Sequence, residues 1–161
     1  MEYYLSLGAN LGDRIASLQA AKGFLAGLGE LLQSSSIYES TPVGMPGAPL
    51  FLNAVVSMDS RHEPRDLLKL IKQYEKNAGR DELQGHYLPR MIDIDIVMIP
   101  DTFITAPGLC LPHPEMHKRA FVLLPLLTIA PDLVHPVSGK NVRQMLDNLS
   151  SDERVEFFCP F

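Results

Sequence analysis

The sequence has few cysteines, no excess of positive charge and no long hydrophobic run, and each shortage excludes a class of protein. Cys110 and Cys159 lie far apart and form no C-x-x-C pair, which argues against a disulfide framework or a zinc site. The net charge of −5 disfavours general binding to nucleic acid, because that requires a concentrated basic surface. No apolar run approaches the roughly 20 residues of a membrane span, and the first residues, MEYYL, lack the basic segment of a signal peptide. We therefore expect a cytoplasmic protein without a membrane or nucleic-acid partner.

The order of the predicted elements indicates the fold class. No repeat, low-complexity segment or linker interrupts the 161 residues, so we expect a single domain over 1–161. Hydrophobic spacing and turn residues predict strands over 2–8, 31–39, 51–58 and 92–99 and helices over about 14–28 and 64–78. They also predict short strand pieces over 103–111, a helix near 114–129 broken or kinked at Pro125, a helix over 141–149 and a strand over 154–158. The order β-α-β-β-α-β is that of a ferredoxin-like α+β sandwich, a mostly antiparallel sheet with helices on its faces.

Two aspartates on the predicted strand 92–99 are the clearest sign of chemistry. Asp93 and Asp95 stand one residue apart, so they share one face of the strand with Cα atoms about 6.6–7 Å apart, while Ile94 faces the core. Paired carboxylates of this kind bind Mg²⁺ together with substrate phosphates. An antiparallel strand with one solvated face produces the same alternation. Arg80 and Arg90, before the strand, favour the metal and nucleotide interpretation, because arginine binds phosphate oxygens with two N–H groups.

Four collinear segments carry a resemblance to a known family. They are 8–13, 41–44 with 51–54, 75–80 leading to 89–95, and 111–113 with 116–121. In this order and spacing, from about residue 3 to about residue 148, the chain resembles the 6-hydroxymethyl-7,8-dihydropterin pyrophosphokinases of folate biosynthesis. The resemblance implies a ferredoxin-like fold, in agreement with the element order. It also implies transfer of the pyrophosphoryl group of ATP to the hydroxymethyl oxygen of the pterin, with release of AMP.

The resemblance implies roles for residues at the matching positions. Asp93 and Asp95 would hold two Mg²⁺ ions, and Arg80 and Arg90 would stabilise phosphate charge during transfer, so that these four are the implied catalytic residues. The implied ATP contacts are Glu75, Arg80, Arg90, Ile96, His113 and Arg119. The implied pterin contacts are Thr41, Pro42, Val43, Phe51, Asn53, Tyr87, Asp93 and Phe121. Taken without the resemblance, His113 would cap a turn, Asn53 would satisfy backbone groups at a strand end and Phe121 would belong to the core.

Several positions depart from the family pattern. In the loop they are Glu82, His86, Tyr87 and Leu88, and downstream they are Gly108, Cys110 and Pro114, where the family often has polar or basic ATP contacts. We expect weaker nucleotide binding than in a typical member, with the chemistry retained.

Three alternatives stay open on the sequence. One is a non-catalytic pterin- or nucleotide-binding module on the same fold with a degenerate ATP loop. The second is a ferredoxin-like RNA-binding domain, which the acidic strand and the net charge disfavour. The third is a pyrophosphokinase for another acceptor, which only the pterin-contact matches exclude. A monomer is the simplest expectation, because no large apolar stripe is evident.

Overall fold

A computed structural model of the chain describes residues 1–79 and 90–161. Its strands are β1 Glu2–Ala9, β2 Glu30–Ser34, β3 Ile37–Ser40, β4 Phe51–Asp59, β5 Asp93–Met98, β6 Ile104–Ala106, β7 Leu109–Leu111 and β8 Val155–Cys159. Its helices are α1 Arg14–Ala26, α2 Pro64–Asn77, α3 Ala120–Ile129 and α4 Val142–Asp147, and a 3₁₀ turn covers Met116–Lys118.

One antiparallel sheet organises the described residues. Its strand order is β5-β1-β4-β3-β8, and β2 also pairs with β4. Every pairing in it is antiparallel, and β6 and β7 form a separate hairpin. The predicted α+β class with a mostly antiparallel sheet is confirmed.

The two faces of the sheet pack against different helices. On one face, residues of β1 such as Leu5 and Leu7 pack with α1 and α2 in a hydrophobic core. On the other face, Tyr4, Val55 and Val97 pack under α3 and α4 in a second core. Because side chains alternate along a strand, every second residue further along these strands belongs to the same second face. There the side chains become small or polar, and a cavity replaces the core.

The predicted strand over 31–39 is two strands in the structure. Ser35 separates them: its hydroxyl accepts the N–H of Val55 at 2.9 Å, and its own N–H donates to the Val55 carbonyl at 2.9 Å. A serine side chain therefore replaces a backbone acceptor, and the ladder is interrupted there. The run of three serines over 34–36 was the sequence signal for the break.

The predicted helix near 114–129 begins later than expected. The 3₁₀ turn comes first, and Arg119 is extended with φ −114° and ψ 103°, so α3 starts at Ala120. Pro125 lies inside α3 without ending it. As the sixth residue of the helix it lacks the N–H that would reach the Phe121 carbonyl, so α3 continues without that one hydrogen bond.

The longest described helix, α2, has 14 residues. None of the described helices combines the length and the apolar content that crossing a bilayer would require.

Candidate active site

A cavity of about 860 Å³ opens where the second sheet face becomes polar. Its floor is formed by β1, β4 and β5. Gly8 of β1 pairs with Asn53 of β4 on one side and with Asp93 of β5 on the other, and Ser6 pairs with Asp95. The floor is therefore a short polar grid on three adjacent strands, which holds these side chains more rigidly than loops would.

Gly8 keeps the centre of the floor open. A Cβ at this position would meet Oδ1 of Asn53 at 3.4 Å and Cδ1 of Phe51 at 3.7 Å. A side chain here would therefore occupy the space between the amide, the aromatic ring and the carboxylates. Glycine in the middle of a strand is disfavoured by its backbone entropy, so its presence fits a position where a ligand approaches the backbone closely.

The two carboxylates share the floor with two arginines. Oδ2 of Asp93 accepts a hydrogen bond from Arg90 at 2.6 Å, and Oδ2 of Asp95 lies 3.8 Å from the guanidinium of Arg119. Burial, and then the charge of Asp93, raise the pKa of Asp95 above its ordinary value, although Arg119 acts in the opposite direction. Burial therefore disfavours the charged form of Asp95, and a cation bound beside the two carboxylates would favour it.

His113 both caps a turn and lines the cavity. Its Nδ1 accepts the backbone N–H of Glu115 at 3.1 Å, and the backbone N–H of His113 donates to the Val97 carbonyl at 2.7 Å. Burial lowers the pKa of His113, even though the carboxylate of Asp95 opposes that shift. The neutral ring then carries its proton on Nε2, which can donate a hydrogen bond to a phosphate oxygen or a ribose hydroxyl.

The other end of the floor is suited to a flat, polar-edged ligand. Asn53 is buried, and its Nδ2 donates to the hydroxyl of Ser40 at 2.8 Å, which fixes the orientation of the amide. Phe51 and Phe121 line the same space, and the Arg119 guanidinium lies 5.7 Å from the centre of the Phe121 ring. Aromatic rings beside a fixed amide can stack on a heterocycle and bind its edge.

Most predicted site residues with described positions line this one cavity. They are Thr41, Val43, Phe51, Asn53, Arg90, Asp93, Asp95, Ile96, His113, Arg119 and Phe121. The departures Gly108, Cys110 and Pro114 also line it. Pro42 stands between two lining residues but is not itself one of them. Arg80, Glu82, His86, Tyr87 and Leu88 lie outside the described residues, so the predictions made for them stay predictions.

Glu75 occupies a different place from the other implied ATP contacts. It is fully buried, and its Oε1 accepts the N–H of Ile94 at 2.7 Å while its Oε2 accepts from Lys72 at 2.9 Å. Since β5 is the edge strand of the sheet in the described part of the chain, Glu75 satisfies a backbone group that none of the described strands reaches. Burial, above all, raises the pKa of Glu75. The sequence contained a signal, because Glu75 continues the four-residue spacing of the buried Leu67 and Ile71.

Sequence reasoning missed several polar residues of the cavity, among them Ser40, Lys72 and Glu153. Ser40 holds the Asn53 amide, and Lys72 reaches the cavity from α2. Glu153 lines the cavity from the segment before β8 and accepts the N–H of Ala120 at 2.6 Å. In the sequence, Lys72 is one of several lysines in a predicted helix, and Glu153 lies in a segment without hydrophobic periodicity.

Known proteins provide an independent comparison. A sequence model of the family "7,8-dihydro-6-hydroxymethylpterin-pyrophosphokinase (HPPK)" matches residues 4–131. The chain belongs to this family. It is 39% identical over 156 residues to the 2-amino-4-hydroxy-6-hydroxymethyldihydropteridine pyrophosphokinase of Aquifex aeolicus, covering 97% of this chain and 94% of the relative. It is 44% identical over 139 residues to the enzyme of the same name from Porphyromonas gingivalis, covering 83% of this chain and 92% of the relative.

Other proteins that the chain resembles are much longer. The folic acid synthesis protein fol1 of Schizosaccharomyces pombe is 38% identical over 152 residues, which cover 92% of this chain but only 20% of that protein. Among solved structures, an HPPK-DHPS in complex with substrates matches with a TM-score of 0.74 at 15% identity, covering 91% of this chain and 42% of the other. The structural likeness supports the fold, and the chain spans less than half of that protein.

Proposed function

We propose that this chain transfers the pyrophosphoryl group of ATP to the hydroxymethyl oxygen of 6-hydroxymethyl-7,8-dihydropterin and releases AMP, a reaction of folate biosynthesis. One observation carries the proposal: Asp93, Gly8 and Asn53 form a single row across three adjacent strands. With neighbouring strands about 4.7–4.9 Å apart, the ends of this row are roughly 10 Å apart. A bicyclic pterin can bridge them, with its polar edge at the amide and its hydroxymethyl group at the carboxylates.

The donor set fits two Mg²⁺ ions that share Asp93 and Asp95. Among the described residues, no cluster of three or more His, Cys, Asp or Glu side chains is arranged to hold an ion. Mg²⁺ suits such a site, because it is usually held by one or two carboxylates together with substrate phosphates and water. When bound, the ions would neutralise phosphate charge. Burial, and then the charge of Asp93, raise the pKa of Asp95, and a bound cation would favour its charged form.

The chain's own residues then have positioning and electrostatic roles. The hydroxymethyl oxygen forms a bond to the β-phosphorus and loses its proton to solvent. The bond from that phosphorus to the bridging α–β oxygen breaks, and AMP leaves with the bridging oxygen. Arg90 and Arg119 lie beside the carboxylates and would stabilise the charge that spreads over the phosphate oxygens. Phe121 and Asn53 would orient the pterin, so that no covalent enzyme intermediate is needed.

Organisation and location belong to the same proposal. We propose a single pyrophosphokinase domain over 1–161 that acts as a monomer in the cytoplasm. The shared sheet supports the first part, because β8 near residue 155 and β1 near residue 2 belong to it. Sedimentation equilibrium would test the monomer directly.

The test is AMP release from ATP and Mg²⁺, with and without the pterin, for the wild type and for Asp95→Asn. We expect pterin-dependent AMP from the wild type and a loss of about 100-fold or more in the variant, because removal of one electrostatic contact in an active site has that size of effect. Asp147→Asn is the matched control: this exposed aspartate ends α4, outside the cavity, and its replacement should leave the rate unchanged.

The outcomes separate the alternatives. Asp95→Asn keeps the size of the side chain and removes a repulsion, so a folded but inactive variant would assign the loss to chemistry. A folded wild type that binds pterin but releases no AMP would contradict the proposal and would favour the non-catalytic module.

A further inference from the structure

The segment 153–154 joins the two walls of the pterin end of the cavity. On one side, Oε2 of Glu153 accepts the N–H of Ala120 at 2.6 Å, across 33 residues of sequence. On the other side, the N–H of Arg154 donates to the hydroxyl of Thr41 at 3.2 Å, and the N–H of Thr41 donates to the Arg154 carbonyl at 3.1 Å. The segment therefore contacts both the start of α3 and Thr41, the first residue of the segment 41–45.

The start of α3 depends on this contact, because the helix has no cap of its own. Arg119 occupies the N-cap position without a side-chain hydrogen bond, and the first turn of α3 contains no acidic residue. At this helix start the N–H of Arg119 donates to the Met116 carbonyl and that of Val122 to the Arg119 carbonyl, so the first two helical residues need an acceptor from outside the helix. Glu153 supplies an acceptor with a negative charge, which the N-terminal end of the helix dipole also favours.

The residues that Glu153 holds are those that face the ligand. Arg119 lies between Asp95 and the Phe121 ring, and Phe121 is the second residue of α3. A shift of the first turn would move the aromatic ring and the guanidinium together. The segment also lies beyond residue 131, where the family match ends.

We propose that Glu153 is a positioning residue for the acceptor: by capping α3 it sets the placement of Phe121, and thereby the affinity for pterin. This inference rests on the proposed function only where it names the pterin; the capping of α3 and the placement of Phe121 do not depend on it. It assigns to Glu153 no contact with the reacting atoms.

The matched variants are Glu153→Ala, Glu153→Gln and Asn141→Ala. Glutamine keeps an acceptor oxygen at the same reach and should rescue the cap. Asn141 caps α4 in a capping box with Gln144, away from the cavity, so its loss removes a cap of the same kind without touching α3. A purely structural effect would appear equally in Glu153→Ala and Asn141→Ala.

The first readout is independent of activity. The chain contains no tryptophan, so Phe121→Trp introduces a single fluorescent reporter at the start of α3. In that background we expect acrylamide quenching to increase at least twofold with Glu153→Ala and to stay unchanged with Glu153→Gln or Asn141→Ala. Unchanged quenching in Glu153→Ala would overturn the proposal.

The second readout uses the three variants with Phe121 retained. We expect Glu153→Ala to raise the Kd and the KM for 6-hydroxymethyl-7,8-dihydropterin about tenfold, with the KM for ATP and kcat changed less than twofold. An equal loss of kcat in Glu153→Ala and Asn141→Ala, without a change in pterin KM, would overturn it. If quenching responds but the wild type makes no pterin-dependent AMP, the proposed function fails while the capping of α3 stands.

Discussion

Glu75 offers the sharpest test of how the carboxylate strand is supported. Its Oε1 accepts the N–H of Ile94, the residue between Asp93 and Asp95, and the side chain is fully buried. We expect Glu75→Ala to destabilise the fold strongly and Glu75→Gln to be tolerated. Glutamine keeps an acceptor at the same position, whereas alanine leaves a buried N–H without a partner.

The magnitude follows from the groups that are lost. An unpaired buried N–H costs about 1–3 kcal/mol, and loss of one buried methylene costs about 0.8 kcal/mol. Removal of a charge whose burial is unfavourable offsets part of this. We expect a net loss of about 2–3 kcal/mol for the alanine variant. In a domain of this size that corresponds to a decrease in Tm of roughly 5–10 °C.

The pH dependence separates the two roles of the side chain. Because burial raises the pKa of Glu75 in the folded state, its contribution to stability is complete below the unfolded pKa and is lost as pH rises through the folded pKa. Glu75→Gln does not titrate. The stability of this variant relative to the wild type should therefore increase as the pH rises above the reference pKa of 4.5.

Urea unfolding without divalent ions, at several pH values, measures these differences. Equal stability of the alanine and glutamine variants would refute the role of the Ile94 hydrogen bond. A tenfold increase in the KM for ATP in Glu75→Gln, at unchanged stability, would instead support the ATP contact that the family resemblance implies.

Two further predictions concern the sheet and its surroundings. A Cβ at Gly29 would collide with the carbonyl oxygen of Asp59, whereas one at the exposed Gly23 of α1 would meet nothing within 4 Å. Thermal melts should show Gly29→Ala destabilised by about 1–3 kcal/mol and Gly23→Ala stabilised by about 0.5–1 kcal/mol; the reverse order would contradict the packing described here. The Tyr3 hydroxyl donates to the His62 carbonyl at 2.6 Å, and burial raises its pKa to about 12. The contribution of this hydroxyl to stability is complete below about pH 10 and is lost as the pH rises through the raised pKa. Tyr3→Phe should therefore shift the alkaline unfolding transition. In an ultraviolet titration, the variant should lack one tyrosine that ionises at a raised pH.

The carboxylate strand was predictable because its signal is local. Asp93 and Asp95 alternate with Ile94, and alternation along a strand fixes which side chains share a face. The structure places both aspartates in the cavity and Ile94 in the core. The family resemblance added residues from distant segments, and most of those with described positions line the same cavity.

The missed features depend on contacts between distant parts of the chain. Glu153 reaches α3 from 33 residues away, and no spacing in the sequence records such a contact. The break at Ser35 depends on a hydroxyl that competes with the backbone of β4. The late start of α3 depends on Arg119, whose extended backbone follows a 3₁₀ turn rather than a helical one. Local propensity describes none of these competing contacts.

The row from Asp93 through Gly8 to Asn53 has a consequence for synthesis on the ribosome. Its members are separated by 40 to 45 residues of sequence, and the segment 153–154 begins 60 residues after Asp93, the last of them. A nascent chain therefore cannot present the paired carboxylates opposite the amide until three separate strands have emerged and paired in register. The end of the cavity proposed for the pterin also lacks the cap on α3 until residue 153 has emerged. Ligand binding to this cavity would thus report that translation has passed that point, and a ribosome-bound chain stalled before it should bind pterin poorly.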